Sequence, residues 1–99
     1  MPGGVAKVPI NCYVNNMGGY SYNGTNCTQY NVQIQSSDGA SHSISVAVPS
    51  GIYVNPTSAT VPATGYVYVY VYVPVGNSGS VSMTASSSGY TDHEVPIKS

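Results

Sequence analysis

The chain has few side chains that can carry out acid–base or metal chemistry. Its only carboxylates are Asp38, Asp92 and Glu94, and its only histidines are His42 and His93. A glycosidase needs two facing carboxylates, a calcium site needs about six to eight oxygen ligands, and many serine hydrolases carry a G-x-S-x-G motif. The scattered groups of this chain match none of these patterns. We therefore expect no enzyme, no metal site and no cofactor.

The two histidines are better explained as residues at the edge of a core. In a strand, residues two apart point to the same side, so His42 shares a side with Ile44 and His93 shares one with Val95. A histidine in such a position is normally held by a hydrogen bond, because a buried polar group without a partner is costly. We expect both histidines to be structural.

A run of alternating tyrosine and valine, YVYVYVYV at 66–73, is the most distinctive stretch of the sequence. As a strand it presents its valines to one side and Tyr66, Tyr68, Tyr70 and Tyr72 to the other. Apart from the three-residue strand that carries Tyr53, each of the other predicted strands combines an apolar side with a side that includes Ser, Thr, Asn, Gln or charged residues. Among the longer strands, this one alone has one apolar side and one aromatic side.

Three interpretations of the tyrosine row are open. In the first, the valines face the core and the tyrosines, joined by Tyr53, cover the outer surface of the sheet. In the second, the row is a flat contact strip roughly 20 Å long, which binds a protein or stacks on sugar rings. In the third, the tyrosines fill the core in place of the missing Phe and Leu, and the valines face solvent.

Two cysteines, Cys12 and Cys27, bracket the stretch NCYVNNMGGYSYNGTNCT. A disulfide between them would close a loop of roughly 15 residues and stabilise the fold by about 3 kcal/mol. A pair of free thiols is the alternative. We predict the disulfide and, with it, an oxidising compartment.

Residues 15–26, between the cysteines, are rich in Gly, Asn and Tyr and predict a long surface loop. Binding loops use tyrosine together with Gly, Ser and Asn, so Tyr20 and Tyr22 are candidate contact residues, and an ordered loop without a ligand is the alternative. Two sequons predict glycosylation at Asn23 and Asn26 if the chain is secreted. Such tripeptides also arise by chance in a sequence this rich in Asn, Ser and Thr.

The overall composition indicates one all-β domain. The 99 residues fit a single domain with one core, and β-branched and aromatic residues dominate the apolar set. Only 5% of residues are charged, against about 25% in an average chain. Two basic residues cannot form the cationic surface that nucleic acids bind, and no apolar run approaches the roughly 18 residues of a membrane helix. We expect no nucleic-acid partner and no membrane insertion.

Alternation and turn residues predict seven antiparallel strands in one β-sandwich that spans residues 1–99. The predicted strands cover residues 5–14, 27–35, 41–49, 52–54, 65–73, 80–87 and 93–98. A proline-broken connection joins the fourth strand to the fifth. Residues 1–4, MPGG, predict a disordered start, of the kind added to a mature domain or an excised fragment.

Residues 44–97 resemble a known family of domains. They combine an apolar strand, a Pro-Ser-Gly turn, a short strand with Asn-Pro, a VPATG turn, the alternating strand that leads to Pro74, and a final Ser-Gly-Tyr hairpin. This pattern resembles the Ig-like and fibronectin type III-like accessory modules of bacterial, archaeal and viral extracellular surface proteins and of secreted glycosidases. Tyrosines stand where the family has threonines in the long strand, and the segment at 15–26 also departs from it.

The resemblance implies a seven-stranded antiparallel Ig-like β-sandwich that is extracellular, at a cell or virion surface, and not catalytic. Its expected role is structural or adhesive, as a subunit or appended domain of a filament, surface layer or virion. We expect a protein partner or self-association through the tyrosine row together with Tyr53, Tyr20 and Tyr22. A carbohydrate-binding module that uses the same tyrosines to bind a polysaccharide is the alternative. Pairing through an exposed strand edge is a further route to filaments.

Overall fold

Residues 5–99, the part of the chain that the computed structural model describes, form an all-β fold of two antiparallel four-stranded sheets. The predicted disordered start at residues 1–4 lies outside the described residues. The eight strands are β1 (Ile10–Tyr22), β2 (Thr25–Ser36), β3 (His42–Ala47), β4 (Tyr53–Asn55), β5 (Ser58–Val61), β6 (Val67–Pro74), β7 (Val81–Ser86) and β8 (His93–Lys98). The first sheet has the strand order β1-β2-β6-β4, and the second has the order β5-β3-β7-β8.

The prediction of seven strands is wrong, because the connection before the alternating strand contains β5. This strand pairs with β3, and its last residue, Val61, has no exposed surface. Pro56 and Pro62 flank it and gave the segment the appearance of a loop. Both prolines lie outside the strand, where a missing N–H removes no hydrogen bond from the ladder.

The prediction of a surface loop at 15–26 is also wrong, because this segment belongs to a long β-hairpin. β1 and β2 pair along their full length, as far as Tyr22 opposite Thr25. Asn23 and Gly24 alone form the turn, with φ of 49° and 81°. A two-residue hairpin turn of this kind needs positive φ at both positions, and Asn-Gly adopts it readily.

One hydrophobic core lies between the two sheets. Its members in the strands come from both: Ile10, Val32, Ile34, Val69, Val71 and Val73 from the first sheet, and Ile44, Val46, Val61, Val81, Met83, Ala85, Val95 and Ile97 from the second. Because side chains alternate along a strand, each long strand contributes one apolar side to this layer. Full burial of one such side chain stabilises the fold by about 1.5–3 kcal/mol.

Candidate functional site: the tyrosine face

Most tyrosines of the chain lie on the outer face of the first sheet. The tyrosine face, as we call this surface, consists of Tyr13, Tyr20 and Tyr22 from β1, Tyr53 from β4, and Tyr68, Tyr70 and Tyr72 from β6. Tyr66, just before β6, contacts the ring of Tyr68 edge-on with a centroid distance of 5.1 Å. The two remaining tyrosines, Tyr30 and Tyr90, pack against the core.

The valines of the alternating run face the core, so the interpretation that placed its tyrosines in the core is wrong. Val69 and Val71 have no exposed surface. The second sheet packs on their side and leaves no room for a row of phenol hydroxyls, each of which would need a hydrogen-bond partner when buried. The tyrosines form the outer cover of the sheet, and their use as a contact strip stays a prediction.

A cluster of four rings forms where the hairpin, β4 and β6 meet. Tyr22 stacks on Tyr72 with a centroid distance of 4.4 Å and on Tyr53 at 5.1 Å. Tyr20 lies 5.1 Å from Tyr72. These contacts leave Tyr72 only 5% exposed, although it stands on the outer face of a sheet. Each additional aromatic contact stabilises the arrangement by about 0.5–1.5 kcal/mol beyond the burial of area.

A row of amide side chains runs along β2 between the tyrosines of β1 and those of β6. Gln29, Asn31 and Gln33 stand directly opposite Tyr72, Tyr70 and Tyr68, respectively. Gln29 and Gln33 donate long hydrogen bonds of 3.5 and 3.4 Å to the hydroxyls of Tyr72 and Tyr68. Asn31 is only 9% exposed, and its Oδ1 has no hydrogen-bond partner. The tyrosine face therefore has a polar row of amides along β2 between the tyrosine rings of β1 and those of β6.

The tyrosine face is uncharged. The strands of the first sheet contain no Asp, Glu or Lys, and the charged residues of the chain lie before β1, in the loop after β2 and around β8. A hydrogen bond with Tyr66, together with burial, raises the pKa of the Tyr68 hydroxyl. That hydroxyl is therefore protonated at neutral pH and able to donate a hydrogen bond. A ligand of this face would be recognised by ring contact and neutral hydrogen bonds.

The predicted disulfide is absent: Cys12 and Cys27 are both free. The hairpin register places Cys12 opposite Ile34, seven residues along β2 from Cys27, which corresponds to roughly 23 Å. A disulfide needs Cα atoms about 4.4–6.8 Å apart. Burial raises the pKa of the Cys12 thiol to about 11 and also raises that of Cys27, so both are weak nucleophiles.

The two sequons lie in the outer half of the hairpin. Asn23 is the first residue of the turn, and Asn26 is exposed on β2. Their glycosylation stays a prediction. The positive φ of the turn is by itself a structural reason for an asparagine at position 23, because asparagine tolerates a positive φ better than most residues with a side chain.

Both histidines have hydrogen-bond partners. The Nε2 atom of His42 lies 2.8 Å from Oδ1 of Asp38, and the ring meets Tyr90 edge-on at 5.6 Å. The Nδ1 atom of His93 lies 3.1 Å from the carbonyl oxygen of Val8. Hydrogen bonds from His42 and from the Ala40 amide hold the pKa of Asp38 at about 2. Within residues 5–99 no three His, Cys, Asp or Glu side chains cluster as a metal site would require.

The second sheet has a different outer face. A shallow cleft of about 620 Å³ crosses β5, β3 and the end of β7, and most of its lining is hydroxyl side chains, among them Ser43, Ser45, Thr60 and Ser86. Ser86 and Ser87 donate hydrogen bonds to backbone carbonyls of β3. The two outer faces of the fold are therefore chemically distinct, one aromatic and one rich in small hydroxyls.

The structure brings together every tyrosine that the sequence singled out. The hairpin carries Tyr20 and Tyr22 next to Tyr53 and the alternating run, although a loop was predicted there. Sequence reasoning missed Tyr13, because its placement depends on the register of β1 against β2, and it missed the amide row as part of the site, because that placement depends on the register of β2 against β6. The Asn-Gly dipeptide at 23–24 was the signal for the hairpin and for the side of Tyr20 and Tyr22, but without the bulge between Asn16 and Gly18 its register would place Tyr13 opposite Ile34, on the core side.

No protein-family model, no curated protein and no solved structure matches this chain. None of residues 5–99 forms a helix long and apolar enough to cross a membrane.

Proposed function

We propose that this chain is a non-catalytic structural or adhesive module of an extracellular, cell-surface or virion-surface protein, and that it associates with copies of itself or a neighbouring subunit through the tyrosine face. One observation carries the proposal: seven of the ten tyrosines lie on one face of one sheet. Aromatic residues are enriched in the buried centre of protein interfaces, and charged residues are depleted there. This face has both properties.

An Ig-like classification of the sandwich is part of the proposal. The orders β1-β2-β6 and β3-β7-β8 correspond to the A-B-E and C-F-G orders of immunoglobulin sheets, which supports it. The next two strands depart from the immunoglobulin pattern. β4 pairs with β6 in the first sheet, and only then does β5 pair with β3 in the second sheet. The extracellular assignment depends on the family resemblance and the low charge content, because the two free thiols remove the support that a disulfide would have given.

Sedimentation velocity over a wide range of concentration tests the association. Tyr68 is exposed on the face, so Tyr68→Ser removes contact area and should weaken association at least about tenfold. Val75→Ser is the matched control, because Val75 is a large exposed apolar residue outside the face. Equal effects of the two variants would contradict the proposal, and so would a wild-type chain that stays monomeric throughout.

Carbohydrate binding is a second candidate function, and the amide row favours it. Sugar rings stack on tyrosine while their hydroxyls form hydrogen bonds with planar amides, and the amides of Gln29 and Gln33 are half-buried and held only by long hydrogen bonds of 3.5 and 3.4 Å to tyrosine hydroxyls. Affinity electrophoresis in gels that contain a soluble β-glucan, mannan or chitosan tests it. Retardation of the wild type that is lost in Tyr70→Ala and kept in Val75→Ser would support glycan binding. Unchanged mobility in every gel would exclude these polysaccharides.

A further inference from the structure

The four edge strands of the two sheets are protected to different degrees. β4 has three residues and is followed by Pro56, and β5 has four residues and is followed by Pro62. β8 carries Glu94, Pro96 and Lys98. Short length, proline and charge are the features by which proteins prevent an edge strand from pairing with another chain. Three of the four edges therefore carry a recognised protection.

β1 is the exception. It is 13 residues long, INCYVNNMGGYSY, and contains no proline and no charged residue. A single β-bulge, between Asn16 and Gly18, interrupts its pairing with β2. The stretch before the bulge is regular, and nothing else in the described chain pairs with its outer edge. An edge of this length and composition is suited to the addition of another strand.

One hydrogen bond shows which backbone N–H and C=O groups of β1 point away from β2. The amide of Ser37 donates to the carbonyl of Pro9 at 3.0 Å. In an antiparallel ladder, the residues that bond the neighbouring strand alternate with residues whose N–H and C=O point away from it. The outward N–H groups that have no partner therefore belong to Cys12, Val14 and Asn16, since the outward N–H of Ile10 donates to the carbonyl of Val8.

We propose that β1 pairs antiparallel with β1 of a second copy of this chain, around a two-fold axis at Val14. Cys12 of each copy then stands opposite Asn16 of the other, and the regular stretch forms about six hydrogen bonds between the chains. The interface is isologous, because one strand supplies both halves of it. A second copy fits this edge better than a charged partner does. Neither copy carries a charge on β1 that would lose its hydration when the two strands pair.

The side chains on both sides of β1 suit this pairing. Cys12 and Val14 are partly buried and pack against the core, so a second strand would cover the parts that still face solvent. The two-fold axis of an antiparallel ladder is perpendicular to the sheet, so both tyrosine faces lie on the same side. The pair forms one eight-stranded sheet with a continuous tyrosine face. Association through the edge of β1 and association through the tyrosine face use different surfaces, so one can be lost while the other is kept.

Amide hydrogen exchange of the wild-type chain, measured by NMR at low and high concentration, tests the pairing directly. The outward amides of Cys12, Val14 and Asn16 should exchange at least about tenfold more slowly at high concentration. The amides of Tyr13 and Asn15 point to β2 and serve as internal controls, because they are already bonded in one chain. Outward amides that exchange at the same rate at both concentrations would overturn the proposal.

Two variants at one position supply the second test, and both are made in the Tyr68→Ser background so that association through the tyrosine face does not contribute to the measured mass. Val14→Pro removes the outward N–H without removing a hydrogen bond between β1 and β2, and it should shift the mass in light scattering from dimer to monomer. Val14→Ala loses similar packing but keeps the N–H, so it should remain a dimer. A dimer that persists in folded Val14→Pro would overturn the proposal, as would a monomeric Val14→Ala. If Val14→Pro does not fold, the exchange experiment decides.

Discussion

Tyr22 of β1 stacks on Tyr72 of β6 with ring centroids 4.4 Å apart, although β2 runs between these two strands. The rings meet above β2 because it carries the short side chains Thr25 and Cys27 at this point. Cys27 is only 1% exposed as a result. The contact couples the tip of the long hairpin to the centre of the sheet.

Replacing Tyr72 by alanine should lower the free energy of unfolding by about 2–4 kcal/mol, because it removes a buried ring that contacts two others. Tyr66→Ala should cost less than about 1 kcal/mol, since Tyr66 is half exposed. Urea unfolding of both variants measures this difference, and we expect the slope of the free energy of unfolding against urea concentration to stay unchanged. Equal losses would mean that the ring cluster contributes no more than an exposed tyrosine does.

The turn of the hairpin should be sensitive to its glycine. Gly24 has φ of +81° with open space around the position of a Cβ atom, so Gly24→Ala should cost about 1–2 kcal/mol through backbone strain alone. Gly19 also has open space but no positive φ, and Gly19→Ala should change stability by less than about 0.5 kcal/mol. Thermal unfolding compares the two variants. A loss in Gly19→Ala as large as in Gly24→Ala would argue against the Asn-Gly turn.

Both thiols should survive aerobic purification. Cys12 and Cys27 lie too far apart to bond to each other, and burial keeps the pKa of Cys12 at about 11. We expect iodoacetamide to modify the folded chain slowly and to label both cysteines after denaturation without a reductant. Intact mass spectrometry counts the labels. A denatured chain that takes no label until a reductant is added would contradict the register of the hairpin.

The interaction of Asp38 with His42 should make stability depend on pH in the acid range. The pKa of Asp38 in the folded chain, about 2, lies below its ordinary value of 3.8. A depressed pKa means that the stabilisation is fully present above the ordinary value and is lost as the pH falls toward 2. Asp38→Asn should therefore be less stable than the wild type at neutral pH, and the difference should shrink toward pH 2.

Urea midpoints of the wild type and Asp38→Asn between pH 2 and pH 7 measure that difference. Asp92→Asn is the control, because Asp92 is an exposed carboxylate outside this hydrogen-bond cluster. The prediction is wrong if the gap between wild type and Asp38→Asn stays constant over the range, or if Asp92→Asn reproduces it.

The sequence by itself determined the fold class and the sides of most strands. A period of two needs no tertiary information, so the inward Ile44, Val46 and Met83 follow from alternation alone, and so does the separation of valines from tyrosines in β6, but the structure decided that the valines face the core. It also predicted an all-β chain, since leucine is absent and Glu, Lys, Arg and Gln are scarce. Turns with proline and glycine placed most strand ends close to their positions in the structure.

Only the tertiary structure decided which residues meet across strands. A contact such as Tyr22 with Tyr72 depends on the register of β1 against β2 and on β2 pairing with β6. Alternation determines to which side of the sheet a residue points. It does not determine which residue of the neighbouring strand stands opposite, unless a turn fixes the register. Asn23-Gly24 fixes the register of the outer half of the hairpin, and the bulge between Asn16 and Gly18 sets the register beyond it. The predicted loop and disulfide are therefore wrong, and the tyrosines of the hairpin join those of β6 on one face.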